Sequence, residues 1–205
     1  MLILVRHGRT AVNAAGLLLG RSDPGLDDEG ARQAAALPAA VADGPPPATV
    51  TRVVASPLGR AVATARCFGL PVEVDERWVE VDYGDWEGRP VGSVSAAEWA
   101  AWRADPEFAP PGGESLAALD RRVRSACDEL LAAGVAAGPG EGGDVVVVSH
   151  VSPIKAAVAW ALGVGVELAW RTHLDPASIT RVELRAGGPV LRSFNERGAH
   201  RVPPR

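Results

Sequence analysis

Apolar positions along the chain alternate between runs too short for a helix and stretches with helical spacing. Residues 2–5, Leu-Ile-Leu-Val, are a continuous run of branched side chains, the pattern of a strand buried on both faces. Residues 144–149 contain four consecutive valines and predict the clearest strand of the chain. Residues 52–55 and 72–74 predict shorter ones, and residues 179–184 and 190–194 alternate like a terminal pair of strands. Between them lie helical patterns. Asp27-Asp28-Glu29 places acids at the start of a helix reaching about residue 41, before Gly44-Pro45-Pro46-Pro47. Ser56-Pro57 predicts an N-cap and a first-turn proline for a helix to about 68. A short helix at 96–104 carries Trp99 and Trp102. Ser115 opens a long one to about 137, a Gly-rich connection follows at 138–143, and Ser152-Pro153 begins another to 162. Strands alternating with helices predict an α/β domain with a largely parallel sheet. The Gly/Pro stretches are too short to be linkers, so residues 1–205 read as a single domain.

Composition narrows the function classes. Apolar residues make up 47% and charged residues 22%, a globular balance, and a net charge of −4 speaks against a nucleic-acid partner. Of the 21 basic residues only Lys155 is a lysine, so a single arginine carries little weight. Cys67 and Cys127 have no neighbour at metal-ligand spacing and read as reduced thiols. No apolar run nears the roughly 20 residues of a membrane span, and Arg6 ends the first one too early for a signal-peptide core. A cytoplasmic protein without a membrane partner is expected, and a homodimer is compatible with the sequence.

The chemistry gathers at strand ends, where open α/β sheets bind ligands. Val5-Arg6-His7-Gly8 follows the first strand, Ser149-His150-Val151-Ser152 follows the valine strand, and Ala55-Ser56-Pro57 leads into the helix carrying Arg60. Two histidines and two arginines at one sheet edge, with helix N-termini beside them, make a positive pocket suited to phosphate. Histidines 7, 150, 173 and 200 lack zinc spacing, so neither metal nor cofactor is expected. A Walker motif is absent, and Gly163-Val164-Gly165 lacks the third glycine of a dinucleotide site.

Six segments in order resemble the histidine phosphatase superfamily, which includes the cofactor-dependent phosphoglycerate mutases. They are Leu4-Val5-Arg6-His7-Gly8-Arg9-Thr10 with Asn13, Gly20-Arg21-Ser22-Asp23, Ser56-Pro57-Leu58-Gly59-Arg60-Ala61, Glu80 to Gly88, Pro111-Gly112-Gly113-Glu114-Ser115 and Ser149-His150. The resemblance implies a three-layer α/β/α sandwich with a mostly parallel central sheet and a small helical lid at about 81–114. It implies a phosphomonoesterase acting on a small phosphorylated molecule, with His7 as nucleophile forming a phosphohistidine. Arg6, Arg60 and His150 would hold the phosphate, Glu80 would be the proton donor, and Asn13, Gly20, Arg21 and Val151 would complete the substrate contacts.

Spacing alone leaves Glu80 and Asp82 open as donor, and the resemblance favours Glu80. Val151 stands where the family often has glycine, and Arg9 where mutases usually have glutamate, which weakens a mutase reading. The short interval between Gly88 and Gly112 holds Trp99 and Trp102 and reads as a partly apolar lid. A phosphoglycerate mutase is the alternative enzyme, and a non-catalytic phosphate-binding regulatory module the alternative of another class.

Overall fold

The computed structural model describes residues 1–136 and 143–197. Of the Gly-rich connection at 138–143 only Gly143 falls within them, and His200 lies outside. Six strands, β1 (Leu2–Arg6), β2 (Val50–Ala55), β3 (Val72–Val74), β4 (Asp144–Ser149), β5 (Ser178–Glu183) and β6 (Val190–Arg197), form one sheet in the order β3-β2-β4-β1-β5-β6. The first four strands of that order run parallel; β5 is antiparallel to β1, and β6 to β5. The helices are α1 (Ala11–Ala14), α2 (Asp28–Asp43), α3 (Gly59–Arg66), α4 (Ala96–Ala104), α5 (Leu116–Ala136) and α6 (Val151–Leu162).

The continuous apolar strands are explained by two cores. Leu2, Leu4, Val54 and Val147 pack with Leu119 and Val123 of α5 and Ile154 and Ala157 of α6. Ile3, Val5, Val53, Val146 and Val148 pack on the other face with Leu37 and Val41 of α2 and Ala61 and Ala65 of α3. Successive residues of one strand thus serve opposite faces, and the result is a three-layer α/β/α sandwich. Burial of each such side chain contributes about 1.5–3 kcal/mol. No helix among the described residues is long and apolar enough to cross a membrane.

Three local departures from the sequence reading bear on the site. The helix expected to start at Ser56-Pro57 starts at Gly59, with Leu58 at the N-cap and no side-chain cap from there. The carboxylate of Asp23 takes the Gly59 and Arg60 N–H groups instead, and the Ser56 hydroxyl, which accepts from Leu58 N–H at 3.4 Å, keeps its proton for another partner. The last long helix starts at Val151 rather than Ser152, with His150 at the N-cap and Pro153 in the first turn, where a missing N–H is tolerated. The short α1 was not expected. Its four residues are closed by a capping box between Thr10 and Asn13.

In the region expected as a lid, Trp86 and Trp102 are buried in the core. Trp99 stacks on Trp102 at 5.8 Å, Trp170 meets Trp102 edge-on at 5.5 Å, and Phe108 lies 6.2 Å from Trp86. The aromatic side chains of residues 81–114 therefore anchor that region to the molecule.

Candidate active site

The parallel register brings the ends of β1, β4 and β2 to one rim, since Arg6 pairs with Ser149 and Ala55 with Val148. The chain continues past each end under restraint: His7 N–H donates to the Ser149 carbonyl and Ser56 N–H to the Val148 carbonyl, both at 3.0 Å. The two histidine rings consequently lie side by side, 5.0 Å between centroids and 59° apart in plane, both buried. His7 Nδ1 is 2.7 Å from the Gly8 carbonyl, so Nδ1 carries the proton and Nε2 keeps its lone pair. His150 Nε2 lies 2.6 Å from Ser56 Oγ, the partner that the shifted start of α3 makes available. Burial, followed by the charges of Arg6 and Arg60, holds His7 well below the usual histidine range. His150 is lowered likewise, first by burial and then by His7 and Arg60. Both rings are neutral at neutral pH.

Two arginines face this pair. Arg6 donates from Nη1 to the Leu174 carbonyl at 2.6 Å, and its Nε is buried without a protein partner. Arg60, 1% exposed, donates from Nη2 to the Gly20 carbonyl at 2.7 Å and from Nη1 to the Ser22 carbonyl at 2.6 Å, again with an orphaned buried Nε. His150 Nδ1 is a third buried atom of this kind. Desolvation lowers Arg6 to about 10 and lowers Arg60 as well, against the attraction of Glu80. Buried polar atoms left unpaired are uncommon in folded proteins, and of the six among the described residues three, Arg6 Nε, Arg60 Nε and His150 Nδ1, belong to this cluster of basic side chains.

Glu80 is buried with its carboxylate on the N-terminus of α6. Oε2 accepts from Val151 N–H at 3.0 Å, and Oε1 from Ser152 N–H at 3.2 Å and Val81 N–H at 2.8 Å. Asp82, the other candidate, turns its carboxylate back onto Gly84 N–H at 2.8 Å, closing its own turn. The geometry thus sets Glu80 beside the histidines and leaves Asp82 out. Arg122 steadies Glu80 from behind: it is paired with Glu114 at 2.8 Å and donates to the carbonyls of Arg77 and Glu80. Tyr83 hydrogen-bonds Ser152, and burial followed by the charge of Glu80 pushes its phenol up. No three His, Cys, Asp or Glu side chains among the described residues gather as a metal ion would need.

Residues 2–197 match the family model of the histidine phosphatase superfamily, branch 1. The chain belongs to that superfamily. It is 37% identical over 205 residues to a bifunctional protein of Mycobacterium tuberculosis, with 96% of this chain matched to 54% of that one. The chain therefore spans about half the length of the first curated relatives it matches. A glucosyl-3-phosphoglycerate phosphatase of Mycolicibacterium vanbaalenii is 35% identical over 170 residues, covering 81% of this chain and 76% of the relative. Among solved structures, a mycobacterial glucosyl-3-phosphoglycerate phosphatase in complex with VO3 superposes with a TM-score of 0.82 at 30% identity, covering 95% of this chain and 98% of that one.

Several of the remaining positions expected from the superfamily motifs are engaged with other residues. Asn13 uses its side-chain oxygen on Thr10 within the capping box of α1. Gly20 has both backbone groups engaged, its carbonyl by Arg60 and its N–H by the Glu87 carboxylate at 2.9 Å. Arg21 is exposed and reaches Glu114 at 3.3 Å. Val151 offers its N–H to Glu80. Arg9 is held by Asp27 at 2.8 Å. Sequence reasoning missed four supports: Ser56; Thr64, whose hydroxyl accepts from Gly8 N–H and donates to the Arg60 carbonyl; Leu174; and Ala177, whose N–H donates to the His7 carbonyl at 3.1 Å. Only Thr64 left a signal, since it stands one helical turn after Arg60.

Proposed function

We propose that this protein is a metal-independent phosphomonoesterase of small phosphorylated molecules. One observation carries the reading: unpartnered buried nitrogens on Arg6, Arg60 and His150, in the same cluster as a neutral His7 whose Nε2 is unprotonated. In this reading the phosphate is held by Arg6, Arg60 and His150, with Asn13 and Arg21 toward the rest of the substrate. His7 Nε2 attacks phosphorus, the P–N bond forms, and the ester P–O bond breaks. Glu80 gives its proton to the departing alkoxide. It then takes a proton from water, whose oxygen attacks phosphorus, and the P–N bond breaks to release inorganic phosphate. An arriving phosphate competes with Glu80 for the Val151 N–H, which couples substrate binding to release of the carboxyl for proton transfer.

Arginines supply the positive charge that a magnesium ion supplies in other phosphoryl-transfer enzymes. Turnover of p-nitrophenyl phosphate is therefore expected to survive excess EDTA and to be inhibited by vanadate, a mimic of the pentavalent transition state. Activity lost with EDTA and restored only by a divalent ion would refute metal independence. Turnover that depends on a bisphosphate primer would favour the mutase alternative, and no turnover at all would favour the binding module.

A further inference from the structure

The segment 174–177, which enters the turn before β5, touches both halves of the proposed phosphate site. The carbonyl of Leu174 receives Arg6 Nη1 at 2.6 Å, and the N–H of Ala177 donates to the His7 carbonyl at 3.1 Å. Ala177 makes that bond from a left-handed backbone conformation, φ 53°, which a side-chain-bearing residue adopts only where its surroundings enforce it. The turn closes on itself where Ser178 N–H donates to the Asp175 carbonyl at 3.3 Å, and β6 ties it down from outside. Asn195 Oδ1 accepts from Asp175 N–H at 2.8 Å, and Asn195 Nδ2 donates to Asp175 Oδ2 at 3.0 Å, a two-point clasp between the turn and the strand. Asn195 is itself in the left-handed region, φ 56°, and its N–H is tied to Thr180 Oγ1 at 3.2 Å. Arg197 at 2.8 Å and His173 at 3.1 Å also reach the Asp175 carboxylate, which is held at about 2 despite partial burial.

We propose that Asp175 and Asn195 are positioning residues for the phosphate-transfer site, a clasp that fixes the 174–177 turn and through it Arg6 and His7. The inference rests on His7 and Arg6 having the roles proposed above. It adds a requirement that neither residue's own motif contains: the backbone that receives Arg6 and braces His7 must be locked from a strand at the far edge of the sheet. A displacement of about 1 Å in such a constellation can reduce rate by up to about a hundredfold.

The clasp is testable by exchanging its partners. Asn195→Asp sets two carboxylates face to face and removes one donor, and kcat/KM is expected to fall at least about tenfold, with weaker vanadate inhibition. Asp175→Asn keeps an acceptor and the backbone donor, although it gives up the contacts to Arg197 and His173, and is expected to stay within about threefold of wild type. The double exchange, Asp175→Asn with Asn195→Asp, restores the complementary pair and is expected to recover most of the loss. Melting temperatures report folding separately, and should Asn195→Asp not fold, Asn195→Ala against the double exchange serves the same comparison. Asn195 variants that keep full kcat/KM, or a double exchange no better than Asn195→Asp alone, would overturn the clasp. If the wild type forms no phosphohistidine at His7, the parent reading fails instead, whatever these variants do.

Discussion

Two of the places where arginines and carboxylates meet on this molecule have opposite outcomes. At the rim of the parallel strands, Arg6 and Arg60 are desolvated, lowered from their ordinary values, and each keeps a buried Nε without a protein partner. A groove of about 450 Å³ between the β2–β3 edge and α5 is also lined by arginines and acids, and there every arginine is paired with an acid. Arg52 grips Glu73 at 2.7 Å, and Arg77 bridges Asp75 at 2.7 Å and Glu129 at 2.8 Å. Both groove arginines are raised, chiefly by hydrogen bonds to those carboxylates. In this groove the arginines are thus satisfied by the protein's own acids. Charge alone does not separate a candidate site from a solvated surface here; unpartnered buried arginine and histidine nitrogens clustered together at the rim do.

Parallel substitutions in the two regions sharpen the contrast. The largest difference is expected between Glu80→Gln and Glu129→Gln. The first should slow substrates with poor leaving groups by about 10²–10⁴-fold while affecting p-nitrophenyl phosphate far less, because its phenolate hardly needs a proton. The second should leave both substrate types unchanged in steady-state assays. Equal slowing of both by Glu80→Gln would remove it as the donor. Next, Arg60→Ala should lower kcat/KM by about 10²–10³-fold, the usual scale for one transition-state charge contact, whereas Arg52→Ala should leave kcat/KM unchanged and alter stability by no more than about 1 kcal/mol. A comparable loss from both would erase the distinction between rim and groove.

Smaller effects concern stability. His7 and His150 are neutral in the folded state because burial lowers them, while in the unfolded chain they take up protons near pH 6.5. The unfolded state therefore binds more protons below that pH. The stability contributed by keeping these rings neutral is full above about pH 6.5 and is lost as pH falls, at up to about 1.4 kcal/mol per pH unit for each histidine. Urea midpoints measured between pH 8 and pH 5 should fall only in the acidic half of that range, and a flat profile would contradict the burial of neutral rings. Least of all, Ala177→Gly relieves the left-handed backbone at φ 53° at some entropic expense and should raise the melting temperature by about 1–2 °C.

Much of this was legible in the sequence for a physical reason. Continuous apolar strands such as residues 2–5 and 144–149 report burial on two faces, and so a covered parallel sheet. Strand ends then place His7, Arg6 and His150 without knowledge of any contact. Asp23 capping α3 from a distant loop was not legible, and the misplaced start at Ser56 followed from it, since a local Ser-Pro pattern cannot announce a remote competitor. Spacing alone leaves Glu80 and Asp82 open and the resemblance favours Glu80; the fold adds that the Glu80 carboxylate lies on the α6 N-terminus while that of Asp82 closes its own turn. The bracing by Leu174 and Ala177 depends on backbone atoms, which carry no residue signature.

The covalent intermediate is the most direct measure of the whole reading. Wild-type protein mixed with ³²P-labelled substrate and quenched within milliseconds is expected to carry label on protein that is lost in acid and kept in alkali, the behaviour of a phosphorus–nitrogen bond. His7→Ala should trap none and lose nearly all turnover, whereas His150→Ala should be slower but still label His7. Label on a serine or carboxylate, or substantial turnover by His7→Ala, would contradict transfer through His7.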